Sequence, residues 1–158
     1  MSFKDQDFAK RFDAMGDEAE AAFERYAENV LRKKFVRYGL NRPPLQMATL
    51  PARVRYTPDY LMSKCFVEVQ GLGRDQTFKL KRDKLGSLLW WNDLRHGDFD
   101  GVMFYVWDSH NKRECFLPLL TVDDVIGQEA ELAAFPEGKS YFAVPADAIF
   151  EAAYADAA

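Results

Sequence analysis

At 158 residues the chain is long enough for one hydrophobic core, and its 48% hydrophobic and 15% aromatic content excludes a disordered chain except at the two ends. A net charge of −4 and a pI of about 5.2 exclude a uniformly basic nucleic-acid binder. Two histidines and two cysteines at scattered positions make no zinc site, and no apolar run approaches the ~20 residues of a membrane-spanning helix.

The first residues, MSFKDQDFAK, carry no signal-peptide pattern, so the expected location is the cytoplasm of a bacterium or a phage-infected host cell, with no membrane partner. Charge is unevenly spread. Asp and Glu crowd into 13–28 and 123–137, and Lys and Arg into 32–55 and 74–84. A basic stripe on an acidic chain can still hold phosphates, because charge is felt only over a Debye length of about 8–10 Å. Cys65 and Cys115 both lie in apolar runs and read as buried thiols or as one disulfide.

In chain order, residues 1–15 read as an arm or short helix. A long helix is expected from Asp17 to Val36, stopped at Gly39 and the loop Asn41-Arg42-Pro43-Pro44. Arg53 to Tyr56 and Asp59 to Met62 read as strand interrupted by Pro58, Ser63-Lys64 as a tight turn, and Cys65 to Gln70 as a second strand stopped by Gly71-Leu72-Gly73. A helix is expected over Thr77–Leu94, a strand over Gly101–Trp107, a turn at 108–111 and a returning strand over Arg113–Leu120. Thr121, with Asp124 three residues on, reads as the cap of a short helix. Tyr141 to Val144 closes the strands, and Pro145 opens a last helix to Tyr154. This order predicts a single α/β domain over 1–158, with a central mixed β-sheet flanked by helices on both faces and residues 108–158 completing the sheet and its C-terminal helix.

The stretch that carries chemistry is Pro58-Asp59, eight intervening residues, then Glu68-Val69-Gln70. Metal-assisted phosphodiester hydrolysis needs anionic oxygen ligands converging on one point, and adjacent strands about 4.8 Å apart can each supply one. Alternation puts Phe66, Glu68 and Gln70 on one strand face, so Glu68 is an acid amid apolar neighbours and needs a cation against it. In the first helix, Phe23, Tyr26, Ala27, Val30 and Leu31 define an apolar arc that includes Glu20, either aimed inward or paired with a nearby Lys or Arg. In the expected helix 77–94, Lys81 shares a face with Phe78, Leu85 and Leu88, either buried or snorkelling to solvent, while Lys79 and Lys84 point elsewhere. Arg53, Arg55, Arg74, Lys79 and Lys84 are candidate phosphate contacts as well as ordinary surface charges. Trp90, Trp91 and Trp107 read as core or interface residues, His96 and His110 as surface, and the glycines at 71 and 73 as a turn or a close backbone approach. No phosphate-cradling loop and no Ser–His–Asp set are present.

Pro58-Asp59 followed by Glu68-x-Gln70 on a hairpin resembles the signature of the PD-(D/E)XK nuclease superfamily over roughly residues 14–107, and Gly16-x-x-x-Glu20 is similar to the first-helix glutamate of its phage-type Holliday-junction resolvases. The resemblance implies a restriction-endonuclease-like fold and a magnesium-dependent DNA endonuclease, with manganese able to substitute and no organic cofactor. It implies Glu20, Asp59, Glu68 and the carbonyl of Val69 as ligands of one or two metal ions. Gln70 stands where the family has lysine, and Lys81 is the expected source of the missing positive charge. It further implies 5′-phosphate and 3′-hydroxyl products, branched DNA as substrate and a homodimer that makes symmetric nicks. Gln70 also fits a rival of another class, a non-catalytic DNA-binding or assembly module on the same scaffold; an acidic-surface inhibitor is a third possibility.

Overall fold

The computed structural model describes residues 8–39, 50–94, 97–134, 138 and 140–157; residues 1–7, the expected loop at 41–44 and His96 lie outside them. Helix α1 runs over Phe8–Tyr26 and passes directly into a π-helical turn, Ala27–Leu31. Arg32 then takes a left-handed backbone (φ 52°), and the chain leaves as strand β1, Phe35–Arg37. The helix expected through Val36 therefore ends at Leu31, and the wider π turn rotates Val30 out of the apolar arc to the surface.

A short helix α2 occupies Ala52–Arg55, where strand was expected; Pro51 at its N-cap suits a helix start. The hairpin of β2 (Tyr60–Met62) and β3 (Phe66–Gly71) turns at Ser63-Lys64. The helix expected over 77–94 is instead two elements, strand β4 (Thr77–Lys81) and helix α3 (Arg82–Asn92). Phe78 and Leu80 are buried while Thr77, Lys79 and Lys81 are not, the two-residue period of a half-covered strand. Strands β5 (Val102–Asp108) and β6 (Arg113–Pro118) form the expected antiparallel hairpin. Helix α4 (Leu119–Glu129) starts two residues before Thr121, whose hydroxyl donates to Asp156 instead of capping it. Strands β7 (Glu131–Ala134) and β8 (Ser140–Pro145) and helix α5 (Ala146–Ala157) complete the chain; β7 was not foreseen.

The five-stranded mixed sheet has the order β1-β2-β3-β5-β6, with β3 and β5 parallel across the β4–α3 crossover. A second antiparallel sheet, β4-β8-β7, lies outside it. Alternation along β5 separates two cores. Met103, Tyr105 and Trp107 face the α1 side with Phe23, Tyr60 and Val67. Val102, Phe104 and Val106 face the side covered by α3, α4 and α5 with Leu88, Val122 and Ile149. Helices thus flank both faces of a central mixed sheet. The two sheets are clamped at one corner by fully buried Asp108, which accepts from Gln76 Nε2 at 3.1 Å and Arg113 Nε at 2.9 Å, while the Gln76 carbonyl accepts from Ala146 N–H. Burial alone would raise the Asp108 carboxyl, but the hydrogen bonds from Arg113, Asn111 and Gln76 outweigh it and bring it down to about 2. Cys65 and Cys115 are buried and free.

Candidate active site

The site is built on the β2–β3 hairpin. Tyr60 pairs with Val67 and Leu61 with Phe66, so continuing the register by one residue sets Asp59 opposite Glu68. Directly opposed residues of an antiparallel pair share a face, with Cβ atoms about 5 Å apart. Asp59 Oδ2 accepts the Val69 N–H at 2.8 Å, which fixes the carboxylate against the neighbouring strand. The Asp59 carbonyl in turn accepts from the N–H groups of Tyr38 and Gly39.

Gly39 follows strand β1 and does not end a helix; close packing is what requires it. A Cβ there would lie 2.6 Å from the Pro58 carbonyl oxygen and 3.0 Å from that of Thr57, both rigid backbone. Gly39→Ala is expected to push the Pro58–Asp59 segment aside, costing about 1–3 kcal/mol of stability and lowering activity with it; thermal melts and cleavage rates on the same preparation check this. Gly71 plays a similar part under α1, where an added Cβ would meet the Met15 carbonyl at 3.2 Å. The close approach there is to the protein's own helix.

Glu68 is buried, and its Oε1 is in ion-pair contact with Lys84 Nζ, delivered from the first turn of α3. Its Oε2 is buried with no hydrogen-bond partner. A charged oxygen left this way costs at least about 1–3 kcal/mol, so it calls for a cation or a proton. Burial first, and then the negative charge of Asp59, push the Glu68 carboxyl up to about 8 against the opposing pull of Lys84. Burial also raises Asp59, with Glu20 adding to the rise and Lys84, the Val69 N–H and Arg37 working against it. Burial works to lower the Lys84 ammonium, but Glu68 and Asp59 outweigh it and hold it above its ordinary range. Two acids and one lysine thus form a single electrostatic unit.

The other sequence candidates fall around this unit. Glu20 is buried on α1, with Arg37 of β1 at 3.3 Å. Among the described residues, no three Asp, Glu, His or Cys side chains are gathered closely enough to hold a metal ion, so Glu20 does not complete a three-carboxylate cluster. Gln70 shares the Glu68 face but donates to the Lys79 carbonyl at 2.8 Å, tying β3 to β4. Lys81 is not on a helix: it ends β4 opposite Tyr141, and a second lysine, Lys84, is in ion-pair contact with Glu68. Reading β4 as helix misassigned the faces. Once α3 starts at Arg82, Lys84 shares a face with Leu88 and Trp91, at i+4 and i+7. Lys79 pairs with Asp75 at 2.6 Å, the Arg53 guanidinium lies 4.8 Å from the Trp90 ring centre, and that of Arg55 lies 5.0 Å from Tyr56. Arg74 follows β3 in the turn before β4.

The donor set fits magnesium. This ion takes one or two carboxylates and fills its remaining positions with water or substrate phosphate. Asp59 and Glu68 supply two acids on one face, and Glu68 offers an oxygen that nothing else uses.

The α/β architecture is a central mixed sheet flanked by helices, and a solved viral protein shares it. A solved structure of a nuclease from a fusselovirus superposes with a TM-score of 0.50 at 8% identity, covering 90% of this chain and 86% of that one. No family model matches the sequence. No curated protein matches it either. No helix among the described residues is long and apolar enough to cross a membrane.

Proposed function

We propose that the chain is a metal-dependent DNA endonuclease whose centre is Asp59, Glu68 and Lys84. The observation that carries this reading is the unpartnered, buried Oε2 of Glu68 on the face shared with Asp59, beside a lysine. The shared fold with a viral nuclease supports it. Asp59 and Glu68 would hold magnesium, or manganese in its place, with the Val69 carbonyl as a further donor. The ion would supply an activated water and neutralise charge developing on the phosphate. Lys84 keeps its proton and offers N–H donors to the same phosphate oxygens, the place Gln70 leaves vacant by bonding to the β4 backbone. Glu20 sits near enough to raise Asp59 and would reach the ion only by leaving Arg37. Arg53, Arg55, Arg74 and Lys79 remain proposed phosphate contacts.

The finer reading is branched DNA cut by a homodimer. Cleavage of single strands, duplexes, forks, flaps and four-way junctions with magnesium or manganese tests it. Preference for junctions with paired nicks supports it, and no cleavage of any substrate overturns the nuclease reading. The Lys84–Glu68 ion pair gives the rival its footing, since a carboxylate already matched by a lysine also suits a non-catalytic scaffold that binds DNA.

Metal and proton compete for Glu68, which sets a pH signature. Between its ordinary 4.5 and about 8, the folded protein holds more proton at Glu68 than the unfolded chain does. Raising pH through that window therefore costs stability in the absence of metal. A bound cation replaces the proton, so magnesium is expected to leave the melting temperature unchanged near pH ~5 and to raise it increasingly toward pH ~8. Glu68→Gln should remove most of the pH slope and weaken the magnesium effect, leaving the smaller share that raised Asp59 contributes.

A further inference from the structure

We infer that the surface formed by α2 and the C-terminal half of α3 is a stacking platform for unpaired bases, so that the strand entering the centre is single-stranded or splayed. This rests on the nuclease reading and names its substrate class.

An aromatic row leads from the carboxylates to this surface. Phe66 is two residues from Glu68 on the same face of β3, and its ring lies 5.5 Å from Trp91 and 5.2 Å from Tyr38. Trp91 meets Trp90 edge-on at 5.4 Å. The row ends in the open: Tyr38 and Trp90 are 40% and 36% exposed, Leu94 is exposed on the same stretch of chain as Trp90, and Val54 is exposed between Arg53 and Arg55. Exposed rings gathered in one row, with exposed apolar side chains and arginines beside them, form the kind of contiguous surface that marks a ligand contact.

The occupant's chemistry follows from what surrounds the rings. Arg53 stacks over Trp90, and its carbonyl accepts the Trp91 indole N–H at 3.0 Å, so α2 and α3 hold the two indoles in place. Arg55 follows beside Tyr56, its Nε buried without a hydrogen-bond partner. Aromatic faces alternating with guanidinium groups match a strand that alternates base and phosphate. A purely apolar partner would leave Arg53 and Arg55 without acceptors, and a closed duplex hides its base faces. The chain carries a net charge of −4, so general attraction for phosphate is weak and stacking has more of the affinity to supply.

The test uses the full chain in EDTA at low salt, titrated with oligo(dT) and, separately, with blunt duplex, read by tryptophan fluorescence and fluorescence anisotropy. Trp90→Ala is expected to weaken oligo(dT) binding about tenfold or more, and duplex binding far less. Trp90→Phe should keep most of the affinity, which separates a platform from a folding defect. Tyr154→Ala, an exposed aromatic on α5, should change nothing. Equal oligo(dT) affinity in wild type and Trp90→Ala, an equal loss for both DNA forms, or no oligo(dT) binding by the wild type overturns the platform. So does conversion of a dimer to a monomer by Trp90→Ala, which would make this face a contact between copies. Trp90-dependent binding with no cleavage under magnesium or manganese would remove the nuclease reading and leave the platform standing; cleavage of splayed DNA indifferent to Trp90 would do the reverse.

Discussion

Replacing Asp59 with alanine is expected to reduce magnesium-dependent cleavage by about a thousandfold or more while leaving metal-free DNA binding largely intact. Asp59 contributes one of the two acids on the shared hairpin face, and Glu20, the acid near it, is held by Arg37. The fold should survive. Its bond to the Val69 N–H joins two strands that are already paired, and the first loss is one hydrogen bond worth about 1 kcal/mol. Removing Asp59 also removes a negative charge that raises Glu68, so the Glu68 carboxyl should titrate lower in the variant, visible by carboxyl NMR. Loss of DNA binding in step with cleavage would instead mark Asp59 as a structural residue.

Lys84 is expected to show the second largest effect, and a double one. Lys84→Ala takes its ion-pair partner from a buried carboxylate, and breaking such a pair costs on the order of 3–5 kcal/mol unless the acid takes up a proton. The Glu68 carboxyl should then rise further, moving the magnesium requirement to higher pH. Cleavage at saturating metal should fall about 10²–10³-fold, because one donor to the developing charge is gone. The double variant Glu68→Gln with Lys84→Met separates the two roles: it should recover most of the stability and none of the activity. If Lys84→Ala cuts DNA normally, the lysine is a structural counter-ion only.

The pair Asp59–Glu68 was legible because it is local. A two-residue turn at Ser63-Lys64 pairs Met62 with Cys65, and counting outward sets residue 59 against residue 68 before any tertiary contact is known. Lys84 was not, because its direction depends on where β4 stops and α3 begins. Thr77-Phe-Lys-Leu-Lys81 alternates as a strand should, yet Phe78, Lys81, Leu85 and Leu88 also fit a helical spacing, and short apolar segments satisfy both periods. Pairing with β8 decides it. Glu20 illustrates a third case. Its inward direction was visible from the apolar arc of α1, but its neighbour Arg37 lies on β1, which sequence read as the helix end. Of the three-stranded sheet only β8 was legible, at Tyr141 to Val144; β7 carries no strand pattern of its own and pairs Glu131–Ala134 along the β8 edge.

The central claim is that Asp59 and Glu68 share one cation. Anomalous diffraction from crystals soaked in manganese tests it most directly. The expected result is a peak about 2.0–2.3 Å from a carboxylate oxygen of Asp59 and from Glu68 Oε2. A manganese peak elsewhere, or none at a concentration that supports cleavage, would contradict it.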